Sequence, residues 1–211
     1  MKKLAIIGDS YSTYEGHVPE GYFCWYMNSG NECENDMPCA EKTWWYQLSK
    51  ENDLEIVMNC SFSGSAVCYS GYPDMPDRIG SAFISRMKVD LGERRTTPEP
   101  DILLIFGGTN DFWAEAPLGD IKYSDWTEED FVNFSPSYCY MLDYLKKWNP
   151  KAKIYNILND EITSSIRDIM KEACKHYGVE MIELKNIEKQ NGHPNTMGMR
   201  QIADQVCKAI M

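Results

Sequence analysis

The sequence predicts a doubly wound, three-layer α/β fold. Its 211 residues suit one domain with a substantial core, and 43% apolar with 25% charged side chains is ordinary globular composition. Five short apolar runs without polar alternation read as strands buried on both faces of a parallel sheet. Helical segments lie between them, and that alternation is the signature of helices covering both sides of such a sheet.

Taken in order, Leu4 to Ile7 is the first strand. Met1-Lys2-Lys3 looks like the start of a secretory leader, but the apolar run is too short and stops at Gly8-Asp9-Ser10. The irregular stretch from Tyr11 to Cys39 is too long for a simple connection and predicts a functional loop at about 11–39 of a single domain spanning 1–211. A helix follows from Ala40 to Glu51, a strand from Glu55 to Met58 and a helix from Pro76 to Leu91. The third strand is Ile102 to Phe106. The next helix, Glu128 to Trp148, has Thr127 as candidate N-cap with Asp130 three residues on, and Asn149-Pro150 as its stop. Lys153 to Leu158 is the fourth strand. Ile162 to Tyr177 is a helix closed by Gly178, with His176 placed to complement the dipole of its last turn. Val179 to Leu184 and Met197 to Ile210 complete the alternation as strand and helix.

Charge narrows the function. With 32 acidic and 21 basic side chains the net charge is −11, a field that repels phosphate backbones and anionic membranes. Nucleic-acid and membrane partners are therefore not expected. No apolar run approaches the roughly 20 residues of a bilayer span, so the chain reads as soluble and cytoplasmic. Of the eight cysteines, Cys24, Cys33 and Cys39 lack Cys-x-x-Cys spacing, and Cys60, Cys68, Cys139, Cys174 and Cys207 sit singly in apolar segments. They read as free thiols, with a Cys24 bridge to Cys33 or Cys39 as the exception.

In an open parallel sheet ligands bind beyond the carboxyl ends of the strands. Those ends carry Gly8-Asp9-Ser10, Asn59 to Ser65 with Gly64, Gly107-Gly108-Thr109-Asn110-Asp111 and, past the last strand, Gly192-His193-Pro194-Asn195. Together they supply a hydroxyl nucleophile, glycines that expose backbone N–H groups, an amide donor and an imidazole base. That is an inventory for acyl transfer: serine needs a base within hydrogen-bond reach, and the tetrahedral intermediate needs donors aimed at its oxyanion.

These residues resemble the four motif blocks of the SGNH hydrolases, also called GDSL esterases and lipases. Gly8-Asp9-Ser10, Gly64, Gly108-Thr109-Asn110-Asp111 and His193-Pro194-Asn195 with Gly198 and Ile202-Ala203 come in family order and span nearly the whole chain. The resemblance implies a flavodoxin-like sandwich with a five-stranded parallel sheet of order 2-1-3-4-5. It implies Ser10 as nucleophile, His193 as general base, and an oxyanion hole formed by the N–H groups of Ser10 and Gly64 and the amide of Asn110. No metal or cofactor is implied.

The chain departs from the family at Gln190, where an aspartate three residues before the histidine is usual. Either a backbone carbonyl or another carboxylate, with Glu188 and Asp111 as the neighbours in sequence, then orients His193, or activity is weak. Tyr11, His17, Trp25, Phe112 and Trp113 are candidate pocket residues, and their aromatic faces suit a small acyl group on a carbohydrate alcohol. The expected function is hydrolysis of a small O-acyl ester, acetyl above all, through an acyl-enzyme. The alternatives are a thioesterase or lysophospholipase of the same family, or an impaired glycan-binding protein on the same fold.

Overall fold

In a computed structural model, which describes residues 1–28 and 35–211, the apolar runs form one parallel sheet. Its strands are β1 (Lys2–Gly8), β2 (Leu54–Asn59), β3 (Ile102–Phe106), β4 (Lys153–Leu158) and β5 (Glu180–Glu183), in the order β2-β1-β3-β4-β5. Successive side chains point to opposite faces, and both faces are apolar, which is why the runs lack alternation. Ala5, Ile7, Leu103 and Ile105 pack on one side against α3 (Phe83–Asp90), α5 (Phe134–Trp148) and α6 (Ser164–Tyr177). Leu4, Ile6, Leu104 and Phe106 pack on the other against α1 (Trp44–Glu51) and α7 (Thr196–Ile210). Full burial of each such leucine, isoleucine or phenylalanine contributes about 1.5–3 kcal/mol, so the two layers dominate the stability.

The helix expected over Ala40 to Glu51 begins as a 3-10 turn at Ala40–Lys42, with Thr43 extended (φ −65°, ψ 150°) before α1, and two longer expected helices are divided. Ala82 takes an extended conformation (φ −58°, ψ 147°) between α2 (Arg78–Ser81) and α3. Asn133 is likewise extended (φ −108°, ψ 143°), separating a 3-10 turn at Glu128–Val132 from α5. Proline explains the second break. Pro136 lacks an N–H and would obstruct a helix running from Glu128, whereas restarting at Phe134 puts it in a first turn, where no donor is needed. Asp130 does accept from the Thr127 N–H (2.6 Å), but it caps the 3-10 turn. Gly178 closes α6 in the left-handed conformation (φ 63°), and His176 in that last turn stacks on Tyr123 with ring centroids 3.8 Å apart.

Two elements escaped the pattern: α4 (Thr109–Trp113) and a small antiparallel hairpin of β6 (Lys189–Gln190) and β7 (His193–Pro194). Cys24 and Cys39 are free thiols, so no bridge joins them, and Cys33 lies outside the described residues. Among the described residues no helix is long and apolar enough to cross a membrane.

Register sets the site. β1 pairs with β2 on one side and β3 on the other, with Gly8 opposite Phe106, so the chains leaving β1 and β3 emerge level and adjacent. This is the switch point where crossovers diverge to opposite faces and a crevice opens.

Candidate active site

Asp9 ends β1 and caps the following 3-10 turn, its carboxylate accepting from the Tyr11 N–H (3.1 Å). The turn lifts Ser10 above the sheet edge. Burial pushes the Asp9 carboxyl up to about 7, against the opposing influence of the Tyr11 N–H and the Arg86 charge.

Beside the turn, the loop after β2 carries Gly64 at φ 78°, a left-handed conformation that glycine adopts without strain, and a Cβ there would press within 3.1 Å of Met75. Buried polar side chains hold that loop. Asn110 Nδ2 donates to the Ser65 carbonyl (2.9 Å), leaving the second hydrogen of the amide for the cavity. Asp111, buried one residue on, accepts from the Val67 N–H (2.8 Å) and the Cys68 N–H (3.2 Å). Its carboxyl is pushed up to about 6 by burial, with those N–H groups opposing. From below, Arg86 donates to the Gly8 carbonyl (3.1 Å), the Ser65 hydroxyl (3.0 Å) and the Ser81 carbonyl (2.6 Å).

His193 reaches the same place from the far end of the chain. Its Nε2 lies 2.9 Å from Ser10 Oγ, and Nδ1 lies 3.2 Å from the Asn191 carbonyl oxygen, a bond that requires the Nδ1–H tautomer. The orienter is therefore a backbone carbonyl. Glu188 instead accepts from Asn195 Nδ2 (2.7 Å), and Gln190 is exposed, its Oε1 accepting from the Asp36 N–H (3.2 Å). Asn191 and Gly192, with φ 52° and 77°, form the two-residue turn of the β6–β7 hairpin, so the turn that reverses the chain also supplies the acceptor.

The hairpin is fastened on all sides. Tyr11 donates its hydroxyl to the Gly192 carbonyl and Tyr26 to the Pro194 carbonyl, each at 2.7 Å. Lys189 pairs with Asp160 (2.6 Å) and Glu161 (3.0 Å). Asn195 caps α7 by accepting from the Gly198 N–H (2.9 Å), and a Cβ on Gly198 would collide with the Glu188 carbonyl oxygen. Burial above all, and then the Lys189 charge, push the His193 imidazole down to about 4, while the Asn191 carbonyl opposes them.

Ser10, Gly64, Asn110 and His193 line one cavity of about 230 Å³, together with Ser63, Trp25, Tyr72 and Trp113. Of the candidate pocket residues, Trp25 and Trp113 are in its wall. Tyr11 is buried behind, edge-on to His193 with centroids 5.3 Å apart. Phe112, half-buried, packs instead against the apolar layer that holds α3 and α5, because on a helix Asn110 shares a face with Trp113 three residues on and not with Phe112. His17 is not brought to the cavity. A turn closed by its N–H on the Tyr14 carbonyl (3.0 Å) carries it beside Trp45, where it lines a separate groove of about 630 Å³ along β2. Sequence reasoning missed Arg86, Tyr72 and the hairpin. Arg86 falls on the buried stripe of its helix, three residues after Phe83, and Asn191-Gly192 is a strong hairpin signal.

The chain matches the model of the GDSL-like lipase/acylhydrolase family over residues 2–210. A Bacteroides uniformis protein named as a GDSL-like lipase is 44% identical, with a TM-score of 0.91 over 99% of this chain and 95% of that one. A Bacteroides ovatus protein of the same description is 38% identical, with a TM-score of 0.92 over 100% and 98%. More distant in sequence is an acetyl xylan esterase from the rumen bacterium Butyrivibrio proteoclasticus, 16% identical with a TM-score of 0.62, of which the match covers 63% against 99% of this chain. A comparison with curated proteins finds no match.

Proposed function

Since the chain belongs to the GDSL-like lipase/acylhydrolase family and is an ester hydrolase of the SGNH type, we propose that Ser10 is its nucleophile and His193 its general base. The observation that carries this reading is the 2.9 Å contact of Ser10 Oγ with His193 Nε2 in a cavity shared with Gly64 and Asn110. With its pKa near 4, His193 is neutral at pH 7 and able to take the Ser10 proton. Ser10 Oγ bonds to the ester carbonyl carbon, and the carbonyl oxygen gains negative charge facing the Ser10 and Gly64 N–H groups and the Asn110 amide. The imidazolium then protonates the alcohol as the C–O bond breaks, leaving an acyl-serine. Water, deprotonated by His193, attacks that ester and releases the acid, returning the proton to Ser10.

The substrate is a small O-acyl ester, acetyl above all, on a carbohydrate alcohol. A 230 Å³ cavity walled by Trp25, Tyr72 and Trp113 has room for a short acyl group and not for a long chain. Aromatic walls favour a sugar, and carbohydrate esterases share the fold. A panel of p-nitrophenyl esters from acetate to palmitate, run beside acetylated xylan, tests both parts. Acetate is expected to be the fastest of the panel, with acetate released from the xylan. Preference for palmitate overturns the substrate assignment, and no turnover of any ester overturns the hydrolytic one.

A further inference from the structure

The proposed reaction makes a demand on His193 that the missing triad acid would ordinarily meet. A base buried deeply enough to titrate near 4 resists becoming an imidazolium, and the Asn191 carbonyl is a single neutral acceptor at 3.2 Å. One hydrogen bond on Nδ1 also leaves the ring plane free to tilt about that bond, which would swing Nε2 off Ser10.

The indole of Trp25 lies flat against the imidazole, with ring centroids 3.6 Å apart and planes within 8° of parallel. Its backbone is tied to the end of the nucleophile's turn. The Thr13 hydroxyl donates to the Ser10 carbonyl (3.0 Å) and accepts from the Trp25 N–H (2.9 Å). Ser10, Thr13, Trp25 and His193 thus form a closed circuit of contacts, completed by the Ser10–His193 bond. The other rings near His193 among the described residues, those of Tyr11, Tyr26 and Trp113, meet it edgewise at 5.3, 6.4 and 6.1 Å, so of these rings Trp25 alone covers a face.

We infer that Trp25 is a positioning residue for His193: its stacked indole sets the imidazole plane and offers an electron-rich face to the imidazolium, taking over part of the task of the absent aspartate. The inference rests on the esterase reading of the site. Trp25 also lines the cavity, so one side chain both covers the imidazole and forms part of the wall. Among the described residues, the charged and titratable groups around the imidazole are paired. Lys189, which disfavours the cation, is itself paired with Asp160 and Glu161, and the hydroxyls of Tyr11 and Tyr26 are donated to backbone carbonyls.

The test compares wild type, Trp25→Leu, which keeps apolar bulk without a π face, and Trp25→Phe, which restores one. Trp25→Met replaces the leucine variant should that fail to fold. With p-nitrophenyl acetate, Trp25→Leu should lower kcat about tenfold with KM within about twofold, and Trp25→Phe should recover to within about threefold of wild type. In the adduct of Ser10 with a trifluoromethyl ketone, where His193 is protonated, ¹⁵N NMR should find the imidazolium pKa about one unit lower in Trp25→Leu and close to wild type in Trp25→Phe. Equal loss in both variants, a change confined to KM, or an unmoved imidazolium pKa overturns the inference alone. A wild-type protein inert toward every ester overturns the esterase reading and this inference with it.

Discussion

On one side of the Ser10 cavity, buried side chains grip the backbone: Asn110 holds the Ser65 carbonyl, Asp111 the Val67 and Cys68 N–H groups, and Arg86 the Gly8 carbonyl and the Ser65 hydroxyl. On the other side, His193 is held by a carbonyl of its own turn, by tyrosine hydroxyls on neighbouring carbonyls, and by an indole face. The difference lies in what a single substitution removes. A buried side chain that satisfies several backbone groups leaves them stranded when it is lost, at about 1–3 kcal/mol for each. A backbone acceptor survives the replacement of its residue, and here it stands beside Nδ1 while Gln190 is turned away.

The largest effect should come from the group the two sides share. Ser10→Ala should abolish ester hydrolysis with thermal unfolding little changed, and a fluorophosphonate probe should label the native protein at Ser10 and the variant not at all. Wild-type turnover in that variant would remove Ser10 from the reaction. On the side held by side chains, Asn110→Ala should lower kcat about 10²-fold or more with a smaller change in KM, because its amide faces charge that develops only in the transition state. A change in KM alone would make Asn110 a binding residue.

Asp111→Asn sharpens the same side. The amide has one acceptor oxygen: at the Oδ1 position it keeps both N–H groups but sets its NH2 against the Val67 N–H, 2.8 Å from the other oxygen, and at the Oδ2 position it leaves the Cys68 N–H unpaired, so chemical denaturation should report a loss of about 1–3 kcal/mol near pH 8. The deficit grows with acid. Burial raises the Asp111 carboxyl to about 6 in the folded protein, above its ordinary unfolded value near 3.8, so the folded state binds more protons between those values. Wild-type stability gains from this group as pH falls through about 6, and loses that gain as pH rises through it. The deficit of Asp111→Asn should therefore widen on acidification from pH 8 to 5, and a deficit that narrows would refute the assigned shift.

The smallest effect belongs to the side held by backbone. Gln190→Asp should change kcat less than about threefold, because Nδ1 already has the Asn191 carbonyl and the Gln190 side chain is turned toward Asp36. The acid limb of the kcat/KM profile should stay near the His193 value of about 4, since protonation below that pH removes the base. A tenfold rise in kcat, with the limb moved upward, would mean that the turn carbonyl is a poor substitute for a carboxylate.

How much of this was legible in the sequence differs between the two sides in the same way. The strands and their both-face burial follow from the unbroken apolar runs, and the four motif blocks lie at strand ends or shortly beyond the last strand, where an open sheet binds ligands. Ser10, Gly64, Asn110 and His193 could be named for that reason. The orienter of His193 was left open between a carbonyl and a carboxylate, because a backbone acceptor has no residue type to betray it, although Asn191-Gly192 marked the turn that provides it. His17, close to Ser10 in sequence, lies in another groove.

By itself, then, the sequence determined the sheet, its two apolar layers and which side chains stand at the strand ends with the chemistry to react, since each rests on periodicity or on residue type tied to a strand end. Only the tertiary structure decided what surrounds those groups. The stacking of Trp25 on His193, the reach of Arg86 to Gly8 and Ser65, and the split of aromatic residues between wall and core join positions 168, 78 and 21 residues apart or turn on the face a side chain takes. Contacts of that kind are set by how packed layers bring distant loops together, and local pattern carries no record of them.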